Sequence, residues 1–403
     1  MQTNITRRGL IQASGALAAW AMVPRAGLAS DRDPRFVFII LRGALDGLAF
    51  MPPIGDPDYA SLRGDLALPA SGDGAALALD GFFGLNPNMP ALKGLYDEGD
   101  ALMVHAIATP YRDRSHFDGQ DVLENGTPGP RGSDTGWLNR AAALIPANGP
   151  TRAHDLFAVG PTVPLVMRGT APVVSWSPGA LPGAGDDTVT RLAHLYSERD
   201  PELMAALAAG EKLDAFLGRG AMAGKGGDGR LESRVFAEAA MAAGRVLAQP
   251  DGPRIAAMAF DGWDTHANEG PAAGRLGHLL AALDNSLATL RSQLGDAWKD
   301  TVVVVATEFG RTARENGTTG TDHGTGAAAF LVGGAVKGGR VIAEWPGLKP
   351  AALYQGRDLN PTLDLRATLK GVLLDHLGLA EHLLSTEVFP GSAAIKPLPG
   401  LLG

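Results

Sequence analysis

The chain has 403 residues, 43 acidic against 35 basic side chains, a formal charge of −8 and no cysteine. That length holds one large α/β domain or two smaller ones, and the missing cysteines exclude a disulfide scaffold and any thiolate metal site. So acidic a chain, with no basic run, is also a poor partner for nucleic acid or an anionic membrane surface.

The N-terminus reads as an address rather than as structure. Thr6-Arg7-Arg8-Gly9-Leu10-Ile11 leads into a weakly apolar stretch, Leu10 to Val23, and then into Pro24-Arg25-Ala26-Gly27-Leu28-Ala29. A basic start, a short apolar middle and small residues before a cut after Ala29 are signal-peptide features. The paired arginines make the segment resemble a twin-arginine export signal. The apolar run is too short and too rich in Ala and Gly to anchor the chain across a membrane. The expectation is a signal over 1–29, a single α/β domain over 30–403, no stable membrane insertion, and a periplasmic or secreted location. Twin-arginine export carries folded proteins, often with a cofactor already loaded, which is compatible with an inserted metal.

Phe36 to Leu41 (FVFIIL) is an unbroken apolar run of the kind buried on both faces of a parallel sheet. It runs into Arg42-Gly43-Ala44-Leu45-Asp46-Gly47, where Asp46 either points into a site or caps the next helix. Asp56-Pro57-Asp58-Tyr59 can start a short helix, Ser71 to Gly84 reads as a surface excursion, and Ala91 to Glu98 as a helix. Ala101 to Ile107 is the next strand, followed by a polar segment, Pro110 to Gly126. Within it Ser115-His116-Phe117-Asp118 enters a helix through Val122 and Leu123. There Ser115 is a plain N-cap or a hydroxyl at an anion-attracting helix start.

Gly132 to Ile145 reads as a capped helix, and Phe157–Val159, Leu165–Met167 and Val173–Trp176 as short strands broken by prolines. Asp187 to Phe216 and Leu231 to Ala248 read as helices, so residues 179–250 form a helical insertion beside the sheet. Arg254 to Phe260 is a strand ending in Asp261-Gly262-Trp263-Asp264-Thr265-His266. Asp261, Asp264 and His266 have metal-ligand character, unless Asp264 only orients His266. Arg275 to Leu294 places leucines along one helical face. The β-branched run Thr301 to Val305 then leads to Glu308, and a Gly/Thr/Asn-rich loop carries Asp322-His323. Ala327 to Val332 is a further strand and Leu363 to Leu377 the last helix. Alternating strands and helices predict a three-layer sandwich around a mostly parallel sheet. Its site should lie outside the strand carboxyl ends. No repeat, heptad, Walker loop or GxGxxG fingerprint is present, and no pattern sets an oligomeric state.

Arg42-Gly43-Ala44-Leu45-Asp46-Gly47, Arg114-Ser115-His116-Phe117-Asp118, Gly262-Trp263-Asp264-Thr265-His266, Thr307-Glu308-Phe309-Gly310-Arg311-Thr312 and Thr321-Asp322-His323-Gly324 resemble the motifs of the family called domain of unknown function 1501. The resemblance covers nearly the whole chain after the signal. A wider similarity joins it to the alkaline phosphatase and sulfatase superfamily, which implies an alkaline-phosphatase-like fold and two-metal hydrolysis of a small anionic ester of phosphate or sulfate. By that resemblance Ser115 is the nucleophile. One metal falls to Asp261 or Asp264, His266 and His323; the other falls to Asp46, Glu308 and Ser115. The superfamily's Asp-His after the late strand is Glu308-Phe309 here, which removes an imidazole that Asp322 would have to replace. Arg114, Arg311 or His116 would hold the substrate's oxygens. Mixed imidazole and carboxylate ligands suit Zn²⁺ or Mn²⁺ better than Ca²⁺. The competing expectation is a non-catalytic ligand-binding or assembly protein on a degenerate fold of this kind.

Overall fold

Strand β1 (Arg35–Arg42) lies in the middle of the main sheet because its apolar run can be buried on both sides. The computed structural model describes residues 32–145, 156–178, 186–217 and 230–403, so the signal segment over 1–29 lies outside the described residues. After β1 come a small hairpin, β2 (Leu77–Ala78) and β3 (Gly84–Leu85), and then β4 (Ala101–Ala108), β5 (Leu156–Val159) and β6 (Val173–Trp176). They are followed by β7 (Ile255–Asp261), β8 (Thr301–Thr307), β9 (Ala327–Val332), β10 (Arg340–Ile342) and β11 (Leu363–Asp364). The main sheet has nine strands in the order β10-β4-β9-β8-β1-β7-β5-β6, with β11 also on β4. Only β9 runs against its neighbours, β4 and β8; the other described pairs of this sheet are parallel.

The helices are α1 (Gly47–Phe50), α2 (Tyr59–Arg63), α3 (Pro90–Glu98), α4 (His116–Asn125), α5 (Trp137–Leu144), α6 (Asp186–Arg199), α7 (Pro201–Leu217), α8 (Arg230–Leu247), α9 (Arg275–Leu294) and α10 (Leu365–Leu377). Alternate residues of β1 enter different cores. Val37, Ile39 and Leu41 pack with the α3, α8 and α9 leucines and alanines, while Phe36, Phe38 and Ile40 pack with Trp137 of α5 and with α10. A two-residue side-chain period on a sheet covered on both faces produces this division. The result is three layers, as the alternation of elements predicts.

Several boundaries differ from expectation. Leu165–Met167 is a 3₁₀ turn after Pro164 rather than a strand. The helix expected from Gly132 starts only at Trp137, after Gly136. The last helix starts at Leu365, where Asp364 caps it by accepting from Arg366 N–H. The single helix expected over Asp187–Phe216 is broken between α6 and α7. Pro201 cannot donate to the preceding turn, and Asp200 Oδ1 accepts from Leu203 N at 3.0 Å to start a new helix. In the expected insertion, α7 leans on edge strand β6 and α8 lies along α9. Phe236 of α8 stacks on Phe260 with ring centroids 3.9 Å apart. Among the described residues, no helix is long and apolar enough to cross a membrane.

Strand register positions the site. Arg42 pairs with Asp261 and Leu41 with Thr307, so β1, β7 and β8 end side by side. The loops leaving those ends, the segment from β4 to α4 and the loop into β9 share one edge.

Candidate metal centre

Four side chains from three of these loops converge. His116 opens α4, Asp264 and His266 follow β7, and His323 precedes β9. His116 Nε2 lies 2.9 Å from His323 Nε2, and His266 Nε2 lies 3.0 Å from the same atom. Asp264 Oδ1 is 3.0 Å from His266 Nε2 and 3.3 Å from His323 Nε2, with Oδ2 3.4 Å from His116 Nε2. Ligand atoms of His116, Asp264 and His323 all lie within 4.8 Å of one another, and His266 joins the group through its two 3.0 Å approaches.

The other nitrogen of each ring decides what these atoms are. His116 Nδ1 is 2.8 Å from Glu308 Oε1, His323 Nδ1 is 2.9 Å from the Arg114 carbonyl, and His266 Nδ1 is 3.4 Å from Asp322 Oδ1. A carbonyl or carboxylate oxygen can only accept, so the hydrogen sits on Nδ1 of His116 and His323, whose Nε2 atoms present lone pairs; His266 Nε2, nearer to Asp264 than its Nδ1 is to Asp322, presents one once its hydrogen lies on Nδ1. One added proton would satisfy a single Nε2–Nε2 pair and leave the third nitrogen and the carboxylate facing it. Three imidazole nitrogens and one carboxylate, each ring held from behind by an oxygen, fit a divalent cation of the Zn²⁺ class.

Electrostatics follow from these contacts. The Glu308 carboxylate on Nδ1 raises the His116 pKa against the opposing effect of burial. Burial, then the neighbouring His116 charge, lowers that of His323. Burial works to raise the Asp264 carboxyl, but Arg311 Nη1 at 2.5 Å from Oδ1 holds it below the usual range. The Asp264 side chain stays 41% exposed, so the cluster opens to solvent on that side.

The surrounding backbone is specialised. Gly43 has φ +119°, and a Cβ there would lie 2.5 Å from Asp264 N, so only glycine lets the exit of β1 pass under the Asp264 loop. Arg114 has φ +63°, an uncommon conformation for a non-glycine residue, and its carbonyl is the one that holds His323.

The structure brings together His116, Asp264, His266 and His323, with Glu308 and Asp322 behind them. Glu308 is fully buried and already engaged. Its Oε1 accepts from His116 Nδ1, from Gly43 N at 2.9 Å and from Gln120 Nε2 at 3.1 Å, and its Oε2 lies 2.9 Å from Thr307 Oγ1, whose one proton also faces the Leu41 carbonyl at 2.7 Å. Asp322 accepts from Asn316 Nδ2 at 3.2 Å beside its approach to His266. Asp46 stands apart: Oδ1 caps α1 by accepting from Leu48 and Ala49 N–H, and Oδ2 takes Arg63 Nη2 at 2.5 Å. Asp261 is exposed at the end of β7, outside the cluster. Arg311 is buried against Asp264, and Arg114 donates to Asp358 Oδ2 at 2.8 Å and Gln355 Oε1 at 2.8 Å. Ser115 occupies the N-cap position of α4, yet its hydroxyl caps no backbone N–H. Phe309 is buried and stacks on His116 with centroids 5.0 Å apart.

The sequence places His116 with Arg114 and Arg311 as a candidate to hold the substrate's oxygens, whereas the structure puts its ring in the cluster. The supporting roles of Gln120, Arg63 and Glu269 left no motif to find. They are single polar residues whose partners lie in other elements.

Fold and cluster together define a mostly parallel α/β protein with a histidine-rich cluster outside its strand carboxyl ends that could hold a metal ion. The chain belongs to the family described as "Protein of unknown function (DUF1501)", whose model matches residues 101–386. No curated protein matches it. Similar solved structures include Ps i-CgsB in complex with k-i-k-neocarrahexaose, at 12% identity over 91% of this chain and 77% of that one, TM-score 0.40. The phosphonate monoester hydrolase of Agrobacterium radiobacter is similar at 14% identity over 86% and 74%, TM-score 0.34. A TAB5 alkaline phosphatase mutant with Mg bound is similar at 13% identity over 75% and 92%, TM-score 0.37. These likenesses are too loose to carry chemistry from those proteins to this one.

Proposed function

We propose that the protein is an exported hydrolase of phosphate or sulfate esters that works around a single divalent cation, with Ser115 as nucleophile. The observation that carries this reading is the meeting of three imidazole Nε2 atoms with the Asp264 carboxylate. A cation held there, Zn²⁺ or Mn²⁺ ahead of Ca²⁺, supplies polarisation of an ester oxygen and lowers the pKa of a nearby hydroxyl. Ser115 precedes His116 directly, and its uncapped hydroxyl at the start of α4 is free to attack. The N–H groups and dipole of that helix favour the anionic substrate. Glu308 and the Arg114 carbonyl hold the rings of His116 and His323 in the tautomer that ligates, Asp322 faces Nδ1 of His266, and Arg311 holds Asp264. One cation suffices for the residues in place, because Glu308 Oε1 already takes three donors and Asp46 takes Arg63 and two backbone N–H groups.

The test is metal analysis of purified protein followed by turnover of an aryl phosphate and an aryl sulfate after reloading with Zn²⁺ or Mn²⁺. A bound metal at one per chain and turnover that Ser115→Ala abolishes are expected. Protein that takes up no metal and turns over neither ester overturns the reading. The filled carboxylates and Phe309 also favour a second reading, a ligand-binding or assembly protein without turnover. It predicts that Ser115→Ala leaves ligand binding and phenotype unchanged. Export rests on the paired Arg7 and Arg8. Replacing both with lysine should strand the protein in the cytoplasm, and unchanged fractionation would refute export by this route.

A further inference from the structure

Behind the cluster runs a buried line of polar groups that the proposed chemistry does not use. Glu269 lies between β7 and α9 and is fully buried. Its Oε2 accepts from the Thr321 hydroxyl at 2.8 Å. The same Thr321 oxygen accepts from Arg311 Nε at 3.0 Å, and Arg311 Nη1 reaches Asp264 Oδ1 at 2.5 Å. A guanidinium can only donate, and a hydroxyl has one proton. The direction is therefore set: Arg311 gives to Thr321, and Thr321 gives to Glu269.

The far end of the line is Asp46, whose oxygens already receive Leu48 N–H, Ala49 N–H and Arg63. Glu269 Oε1 is buried with no hydrogen-bond partner among the described residues, and the Glu269 carboxyl interacts with that of Asp46. Two buried carboxyls beside one guanidinium carry a surplus negative charge, which one shared proton removes. Because Oε2 is the acceptor of Thr321, that proton belongs on Oε1, where it donates to Asp46. Burial, then the Asp46 charge, pushes the Glu269 carboxyl well above the usual range. Burial opposes ionisation of Asp46, yet Arg63 keeps its carboxyl below that range.

We propose that Glu269 is a positioning residue for Asp264, acting through the Thr321 hydroxyl and Arg311 to hold that carboxylate against the three imidazole nitrogens. This rests on reading the cluster as a metal centre. Asp264 sits in a loop with its side chain 41% exposed, and Arg311 is its one guanidinium contact among the described residues. Arg311 in turn is aimed by Thr321, through the hydroxyl and through the Thr321 carbonyl that takes Nη2. Without an acceptor at Glu269, the Thr321 hydroxyl turns its proton elsewhere and the lone pair offered to Arg311 Nε moves with it.

Two readouts on the full chain separate this proposal from the metal reading. The first is the ¹⁵N NMR signal of Arg311 Nε–H in metal-free protein, identified by its loss in Arg311→Lys. The second is Zn²⁺ affinity by calorimetry. Glu269→Gln can donate to Asp46 and accept from Thr321, so it should keep both the signal and the affinity. Glu269→Leu and Thr321→Val should shift the Arg311 signal, speed its exchange with solvent and weaken Zn²⁺ binding roughly tenfold, the low end of what losing an outer partner costs. If Glu269→Leu fails to fold, the nearly isosteric Thr321→Val decides alone. A wild-type Arg311 signal in the folded Leu or Val variant overturns the proposal, and so does a Gln variant as impaired as Leu. Wild-type protein that binds no Zn²⁺ overturns the metal reading instead, since the Arg311 signal is read without metal.

Discussion

Glu308 shows how a residue's role is set by the donors that reach it. Its position after β8 resembles that of a metal ligand, but its Oε1 holds the Nδ1 hydrogen of His116 together with the Gly43 N–H and the Gln120 amide. Glu308→Gln should therefore leave the fold intact, because an amide oxygen can still accept from His116. The loss of charge behind the imidazole should weaken Zn²⁺ binding by about 10–100-fold, measurable by calorimetry. Unaltered affinity would show that Glu308 does not tune the site. Phe309, which stands where the resemblance implies an imidazole, stacks on His116 with an interplanar angle of 28°. The presence of His266, Asp264 and His323 at the site was legible from their strand-end motifs. The capping role of Asp46 was one of two open readings, and the contact with Arg63 that fills its other oxygen depends on where α2 comes to lie.

At the scale of elements, patterns that depend on burial read well and patterns that depend on a neighbour's shape read poorly. The leucine stripe of α9 matches the buried side of that helix along its full length. Leu283 is fully buried there among Leu279, Leu280 and Leu287. Leu283→Ala should cost about 2–5 kcal/mol by lost transfer energy and a residual cavity. The check is urea denaturation, where the midpoint should fall at unchanged slope; an unchanged midpoint would mean that the α8–α9 layer is not a tight core. The break between α6 and α7 was missed because one periodic pattern runs through Asp200 and Pro201, while the proline and its cap impose a new start. Leu165–Met167 was missed because a short apolar run between prolines suits a strand and a 3₁₀ turn equally.

Across the whole molecule, His105 links the sheet to pH. It lies fully buried in β4, with Nε2 3.0 Å from the Met51 carbonyl and Nδ1 accepting from Ala106 N. Burial lowers its pKa from 6.5 to about 4. The unfolded chain therefore binds a proton that the folded chain refuses between those values. The stability this residue contributes is fully present above the unfolded pKa and falls as pH drops toward the folded one. About 3 kcal/mol is lost across that window. Denaturation of wild type and His105→Gln from pH 7 to 4 should show the two stabilities converging as the pH falls; a constant difference would mean that His105 takes up its proton as readily in the fold as in the unfolded chain.

The amino-acid sequence by itself determined the layers and the edge on which the site sits. Runs such as Phe36–Leu41 and Thr301–Val305 have no polar face, so they must be covered on both sides. Chemistry can then lie only where such strands end. The antiparallel course of β9 was decided by tertiary pairing, since a buried strand carries the same apolar run in either direction. The division of labour among the carboxylates was decided there too. Asp46, Asp264, Glu269 and Glu308 differ little as residues, but Arg63, Arg311, Thr321 and His116 reach them from distant parts of the chain. Whether a carboxylate caps a helix or supports a ring, and which role is proposed for Asp264 and Glu269, follows from which donor arrives, and only the folded sheet brings those donors into place.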